Sequence, residues 1–234
     1  TFRGSNDITL CGDSGQAIYN RIHSFKKNGI HVAGNSSRLH INYRTSRQIR
    51  ELAERITDKE ITNETLTESR SAISRFSGPE PQIIECAALD GQLIEVTRWA
   101  ADQIEAGVKL HEIAIISRED KTLWKIKEHL DDNKLPNWLL DESANYISDE
   151  IALASVDRIK GLEFRAVAIV DCNYNIFPLE SKLKQILPGD TADLKNFLKL
   201  EMNRLYVAIS RAKDNLLITY SGKSSELLSG SENN

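Results

Sequence analysis

The sequence predicts an α/β protein in which a parallel sheet is flanked by helices. Short apolar segments that suit buried strands alternate along the chain with longer segments of helical period. The 234 residues are 40% hydrophobic and 27% charged, which is ordinary for a globular protein of one large domain or two small ones. Because ligands of open parallel sheets bind beyond the carboxyl ends of the strands, we expect the functional residues in the loops that follow strands.

The elements of the first half follow from their apolar period and from the residues that stop them. The predicted strands are 8–11, 39–43, 82–86 and 112–117, and the predicted helices are 16–27, 45–56 and 90–104. Asn28-Gly29 stops the first helix. Thr45 and Gln48 have the spacing of a capping box at the start of the second. Asp90 is the expected cap of the third, which Gly107 ends. Residues 58–80 are polar and predict an irregular connection.

The second half continues the alternation. A helix capped by Asp120 runs to Leu130, and a long helix covers about 193–209. The predicted strands are 136–140, 151–156, 166–171 and 215–220. Residues 141–150 hold four acidic side chains and no basic one, so we expect a solvated loop there rather than an accessory subdomain.

The composition excludes several classes of protein. With 30 basic and 34 acidic residues and a net charge of −4, the chain is no polycation, although a local basic face remains possible. The three cysteines form no CxxC pair, which predicts free thiols in a reducing cytoplasm. The five histidines have no metal-site spacing, and no apolar run is long enough for a membrane span. Because the only methionine is Met202 and the chain starts at Thr1, we expect a piece of a longer protein.

Unusual residues gather in four segments near predicted element ends. These are GDSGQAIY (12–19), INYRTS (41–46), SVDRIKGLEF (155–164) and EMNRLYVAISRAKD (201–214). Together they offer two planar cations, an amide and a carboxylate, which suit a nucleoside polyphosphate. Taken singly, each has a simpler interpretation. Gly12-Asp13 and Gly161 could be turns, Arg44 a surface arginine, and Arg211 a ligand of the carbonyls at its own helix end.

In this order, the four segments resemble motifs III to VI of superfamily 1 DNA helicases of the UvrD/Rep type. The resemblance covers nearly the whole chain, and QAIY and KGLEF favour the branch that moves 3′ to 5′. It implies two RecA-like domains with ATP in the cleft between them. Residues 1–34 would be the last part of the first domain, with motif III. Residues 35–234 would be the second domain, with motifs IV, V and VI and no large accessory insertion.

The phosphate loop and the acidic Mg²⁺ motif of that family are absent from the sequence. No GxxxxGK[ST] occurs, and Gly222-Lys223-Ser224 fails because Leu217 stands where the first glycine belongs. The resemblance therefore implies ATP and Mg²⁺ as cofactors, with the metal ligands in a missing N-terminal part. We expect the 234-residue chain alone to be inactive.

The resemblance also assigns roles to single residues. Gln16 matches the glutamine that senses the γ-phosphate, and Tyr19 an aromatic residue near the single-stranded DNA. Arg44 and Arg211 match the two arginines that reach the γ-phosphate. Gly161 and Glu163 match residues at the ribose. Lys160 matches a residue that contacts DNA or aligns Arg211. The supporting residues are Arg204 and Tyr206. Asp157 departs from the family, which often has His there.

We therefore expect the C-terminal portion of an ATP-dependent DNA helicase or translocase, with DNA repair among its settings. Its partners would be single-stranded or duplex DNA, ATP and the missing N-terminal RecA-like domain, with no membrane. An alternative is a stand-alone, non-catalytic module for binding nucleic acid or protein, against which the retained Gln16, Arg44, Glu163 and Arg211 argue. A further open alternative concerns Arg38, Arg44, Arg47 and Arg50, which form either a solvated helix start or a phosphate-facing edge.

Overall fold

The computed structural model describes residues 16–18, 41–57, 73–140 and 149–228. Its strands are β1 (Ile41–Asn42), β2 (Ile73–Ser74), β3 (Gln82–Cys86), β4 (Ile113–Ser117), β5 (Asn137–Leu139), β6 (Ile151–Ser155), β7 (Phe164–Val170) and β8 (Ala212–Ser221). Its helices are α1 (Arg47–Thr57), α2 (Leu89–Glu105), α3 (Asp120–Asp132), α4 (Glu180–Leu183) and α5 (Thr191–Ile209), and a 3-10 helix covers Leu110–Glu112.

Six of these strands form one sheet in the order β3-β8-β7-β4-β6-β5. Every neighbouring pair in it is parallel. β1 and β2 form a separate parallel pair. The predicted α/β class with a parallel sheet is therefore confirmed.

Helices cover both faces of the six-stranded sheet, which explains why its central strands are apolar throughout. All five residues of β4 are buried, as expected for a parallel strand between two helical layers. Because successive side chains of a strand point to opposite faces, Ile113 and Ile115 join one core while Ala114 and Ile116 join the other. α1 and α5 pack on the face of Ala114 and Ile116. α2 and α3 pack on the face of Ile113 and Ile115.

The predicted helices are present where the structure describes them, but three predicted caps are wrong. α2 begins at Leu89 after Ala88, so Asp90 lies in the first turn, and α3 begins at Asp120 itself, after Glu119. In neither helix does a side chain cap the N-terminus. The capping box is replaced by a tertiary contact, because the side-chain Oε1 of Gln48 accepts the backbone N–H of Gly78 at 3.0 Å.

The long helix begins slightly earlier than expected. Asp190 caps α5 by accepting the backbone N–H of Asp193 at 2.9 Å. β2, α4 and the 3-10 helix were not foreseen from the sequence, because segments this short have no measurable period. Cys86 and Cys172 are free thiols, as predicted.

Several predictions lie outside the described residues. They are the strand 8–11, the helix 16–27 apart from its first three residues, and most of the loop 141–150. Within the described ranges, no helix combines the length and the apolar composition needed to cross a membrane.

Candidate functional site

Residues from distant parts of the chain line one open pocket of about 630 Å³. Its walls come from 41–45, from the residue before β7, and from the connection between α5 and β8. The polar side of the lining includes Gln16, Arg44, Glu163, Ser210, Lys213 and Asp214. All four segments singled out in the sequence thus contribute to the same pocket.

The pocket lies at the amino ends of β7 and β8, so the expectation that the site follows the strands is wrong for these residues. Glu163 immediately precedes β7, and Lys213 is the second residue of β8. The physical reason is the path of residues 156–163. This segment leaves the carboxyl end of β6 and must reach the amino end of β7, so its two ends lie at opposite edges of the sheet.

Glu163 binds two cations through different carboxylate oxygens. Its Oε1 lies 2.6 Å from Nε of Arg44, and its Oε2 lies 3.1 Å from Nζ of Lys213. All three side chains are partly exposed, at 34–42% of their surface. Solvent therefore screens these ion pairs, and a ligand that offers better partners can separate them at modest cost.

Arg44 is positioned by the turn between β1 and α1. Oδ1 of Asn42 accepts the backbone N–H groups of Arg44 and Thr45 at 2.8 and 3.2 Å, the typical geometry of an Asx turn. The backbone N–H of Ser46 then donates to the carbonyl of Lys213 at 2.9 Å. The turn that carries Arg44 is therefore tied to the start of β8.

Arg211 adopts the simpler of its two predicted arrangements. The residue is 1% exposed. Its Nε donates to the carbonyl of Val207, one guanidinium nitrogen to the carbonyl of Leu162, and the other to Oγ of Ser210, each at 3.1 Å. Arg211 thus lies behind Ser210, which itself lines the pocket. Its role at a phosphate stays a prediction.

Residues 16–18 dock onto the sheet domain through three contacts. Nζ of Lys160 donates to the backbone carbonyl of Gln16 at 2.8 Å, and Nδ2 of Asn203 to that of Ala17 at 2.9 Å. Ile18 is fully buried in the core beside α1 and α5. Lys160 therefore connects two of the predicted motifs. Tyr19 lies outside the described residues.

Gly161 has the backbone conformation that its turn interpretation requires. Its φ of +92° lies in the region that L side chains rarely adopt. The glycine allows the chain to turn between Lys160, which holds Gln16, and Glu163, which faces the pocket. Any contact of Gly161 with a ribose stays a prediction.

Two lining residues were missed by sequence reasoning. Tyr43 is 59% exposed at the pocket, and the guanidinium carbon of Arg75 lies 5.8 Å from the centre of its ring. An exposed aromatic ring is a stacking surface for a planar ligand. Lys213 is the second cation on Glu163. Both residues stand beside predicted arginines, Tyr43 before Arg44 and Lys213 two after Arg211, and that proximity was the available signal.

The basic residues in and before α1 divide between the two interpretations given above. Arg47 is 56% exposed and lies 4.0 Å from Glu51, so it belongs to a solvated helix face. Arg50 is only 14% exposed and is held by both carboxylate oxygens of Glu54 and by Oγ of Ser74. Arg44 lines the pocket, and Arg38 is outside the described residues. In the part of the chain that the structure describes, no three His, Cys, Asp or Glu side chains converge as a metal site requires.

Comparison with known proteins supports the resemblance drawn from the motifs. Residues 137–223 match the sequence model of the UvrD-like helicase C-terminal domain. The match contains Glu163, Arg211 and Lys213 but excludes Gln16 and Arg44. Over 100 residues the chain is 35% identical to a "Probable DNA helicase II homolog" of Mycoplasma capricolum. That stretch is 40% of this chain and 13% of the relative, so the chain spans a small part of the relative's length.

A solved structure shares the fold. The C-terminal domain of a possible DNA helicase from Lactobacillus plantarum WCFS1 superimposes with a TM-score of 0.58 at 19% identity, covering 81% of this chain and 93% of that one. The match of residues 137–223 to the UvrD-like helicase C-terminal domain thus supports the resemblance at the level of sequence, and the solved structure shows that the fold is shared.

Proposed function

We propose that this chain supplies the second RecA-like half of the ATP site of a DNA helicase or translocase. The observation that carries the proposal is the single pocket in which Arg44, Glu163 and Lys213 meet beside Gln16. In this proposal residues 35–234 form the second RecA-like domain, and residues 1–34 belong to the first. The other half of the site, with the phosphate loop and the Mg²⁺ ligands, belongs to the first domain.

The lining offers one group for each part of a nucleotide. The exposed ring of Tyr43 provides a stacking surface for a base, the Glu163 carboxylate can accept a ribose hydroxyl, and the Arg44 guanidinium can bind phosphate oxygens in a forked geometry. A volume of about 630 Å³ is in the range of small-molecule sites. The residues therefore fit ATP, which supplies the free energy for movement along DNA.

Binding of a nucleotide in this way requires Arg44 to leave Glu163. The guanidinium of Arg44 lies against Glu163 through Nε at 2.6 Å, and it cannot keep this contact while it presents that nitrogen to phosphate oxygens. Lys213 remains on the second oxygen and keeps the Glu163 carboxylate oriented. Arg44 is then free to turn toward the phosphates, where it stabilises the charge that develops during hydrolysis.

Arg211 must change its contacts as well. Its guanidinium currently satisfies two backbone carbonyls and Ser210. In the proposal, closure of the two domains brings the phosphate chain close enough to compete for those N–H donors. Phosphate attracts a guanidinium more strongly than neutral carbonyls do. Arg211 then acts as the second arginine of the site.

The proposal assigns DNA to the same polypeptide. Tyr19 and Lys160 are its DNA contacts by resemblance, and QAIY and KGLEF favour movement from 3′ to 5′. Lys160 donates a hydrogen bond to the backbone of Gln16, which lines the pocket. A shift of residues 16–18 on DNA binding would therefore change the pocket lining. This link is how DNA would stimulate ATP hydrolysis.

The test compares two arginines three positions apart. Arg44→Ala removes the pocket guanidinium, whereas Arg47→Ala removes an exposed arginine on α1 whose carboxylate partner is 4.0 Å away. In the natural polypeptide that contains this sequence, we expect Arg44→Ala to lower the kcat of DNA-stimulated ATP hydrolysis by about 10³-fold. Arg47→Ala should stay within about two-fold of wild type.

DNA binding without nucleotide, measured on the same preparations, separates the outcomes. It should be unchanged in both variants. Equal ATPase activity of Arg44→Ala and wild type would contradict the proposed role of the pocket. A wild-type polypeptide that binds DNA or a protein partner but shows no ATP hydrolysis would favour the non-catalytic module instead.

A further inference from the structure

Four charged side chains form a network behind the pocket. Arg118, which follows β4, donates two hydrogen bonds to Glu201 of α5, from Nε at 3.1 Å and from a terminal nitrogen at 2.9 Å. Arg204, one turn further along α5, donates to Glu201 at 2.8 Å and to Asp157 at 3.0 Å. A second oxygen of Asp157 lies 3.9 Å from Arg118. The network therefore joins β4, α5 and the segment 156–163.

Three members of the network are buried or nearly so, and the formal charges of the four cancel. The Glu201 side chain is fully buried, those of Arg118 and Arg204 are 6% and 13% exposed, and that of Asp157 is 40% exposed. Burial alone would lower the pKa of Arg118, but its bonds to Glu201 and the nearby Asp157 outweigh burial and raise that pKa. Two arginines and two carboxylates each have a partner of opposite charge. Removal of one of them leaves an uncompensated charge in a poorly solvated place.

Two chain segments lead from this network to the pocket. The segment 156–163 starts with Asp157 in the network and ends with Glu163 in the pocket lining. α5 has Glu201 and Arg204 in the network, and further along it Tyr206 and Ser210 line the pocket. The network thus links the segment 156–163 to α5, and it does so outside the pocket that both of them line.

We propose that Asp157, Glu201 and Arg118 are positioning residues, which together with Arg204 hold the Glu163 wall and the α5 wall of the nucleotide pocket in register. This inference rests on the proposed function, because it assigns the register to nucleotide binding. None of the four side chains lines the pocket, so they act through the segments that do.

The network also gives a reason for the unusual residue at position 157. Arg204 has two carboxylate partners there, Glu201 and Asp157. A neutral histidine at 157 would leave the pair of arginines with one buried carboxylate. In this chain, position 157 therefore serves an internal contact through its negative charge.

The experiment replaces one carboxylate with its neutral isostere. Asp157→Asn keeps the shape of the side chain and removes its charge, and Asp157→Glu restores the charge. Asp102→Asn is a matched control, because Asp102 also binds an arginine at 3.0 Å, but does so on the exposed face of α2. The variants are made in the natural polypeptide that contains this sequence, and their Tm values are recorded.

Hydrogen exchange measures the register without any nucleotide. In wild type the backbone N–H groups of Arg158 and Ile159 donate to the carbonyl of Ser155 at 3.0 and 3.1 Å. We expect Asp157→Asn to speed exchange in 156–163 by about ten-fold. The KM for ATP should rise by about ten-fold while kcat stays within about two-fold, since Glu163 contacts the ground state. Asp157→Glu should recover most of both effects, and Asp102→Asn should cause neither.

Each outcome decides one point. Unchanged exchange in Asp157→Asn would overturn the positioning role. Faster exchange with an unchanged KM would overturn the link from the network to the pocket. If the wild-type polypeptide does not bind ATP at all, the proposed function fails, and the exchange data alone still decide whether the network holds the segment 156–163.

Discussion

Single residues at the pocket are held by partners that a nucleotide would have to replace in the proposed function. Glu163 has one cation on each carboxylate oxygen, and Arg211 has its N–H donors on two carbonyls and a hydroxyl. The ion pairs of Glu163 are partly exposed, so a ligand can replace them at small net cost.

Arg211→Lys tests the second arginine. Lysine keeps the positive charge but offers no forked pair of donors, so it cannot reproduce bidentate binding of phosphate oxygens. In the natural polypeptide we expect kcat for ATP hydrolysis to fall by about 10²- to 10³-fold, with DNA binding in the absence of nucleotide nearly unchanged. Steady-state ATPase rates and a DNA titration on the same preparation measure both.

The opposite results identify a different role for Arg211. A near-normal kcat with weak DNA binding would mean that the residue serves DNA. Loss of both activities together with a lower Tm would mean that its bonds to Val207 and Leu162 are purely structural.

At this scale the sequence could predict which residue types meet, but not how they pair. Arg44 and Glu163 were both expected at one site, and they line one pocket. Their direct ion pair was not foreseen, because it depends on side-chain positions across a gap of more than a hundred residues. The hydrogen bond from Lys160 to the backbone of Gln16 was not foreseen either, because it depends on how residues 16–18 pack against the sheet.

At the scale of elements, α1 connects the core to the pocket. Its buried face consists of Ile49, Leu52, Ala53 and Ile56, and it packs beside α5 in the same core. The backbone at its N-terminus is bonded to the carbonyls of Lys213 and Phe76. The position of Arg44 therefore depends on the packing of a helix as well as on its own turn.

Ile49→Ala tests the packing of α1 on which the position of Arg44 depends. Ile49 is fully buried near the start of α1, so truncation should lower the free energy of unfolding by about 2–5 kcal/mol. Ile94→Ala on α2 is the matched control, since that side chain is 61% exposed and its loss should cost less than about 0.5 kcal/mol. Urea unfolding measures both values. Equal losses in the two variants would show that α1 does not pack as described.

The sequence predicted these elements better than it predicted their ends. β4 and α3 were recognisable because burial on one or both faces imposes a period. The caps at Asp90 and Asp120 were wrong because a suitable residue type near a helix start does not fix which residue begins the helix. The predicted capping box failed because the side-chain oxygen of Gln48 accepts a hydrogen bond from Gly78, thirty positions away in the sequence.

At the scale of the whole molecule, different features lie at the amino ends and at the carboxyl ends of the parallel strands. The edge at the amino ends of β7 and β8 carries the pocket. Residues that follow the carboxyl ends of β4 and β6 carry Arg118 and Asp157 of the buried network. The sequence predicted the parallel sheet that creates both edges. It could not predict which edge holds the pocket, because the crossing segment 156–163 contributes to both.

The central claim is that a nucleotide binds between Tyr43, Arg44 and Glu163. Photolabelling of the natural polypeptide with 8-azido-ATP, followed by tryptic mapping, tests this claim most directly. The azide is on the base, so we predict that the label falls on Tyr43 within the peptide 39–44, which trypsin releases by cleaving after Arg38 and Arg44. Excess ATP should abolish the label. Competable label confined to peptides outside the pocket lining would contradict the claim.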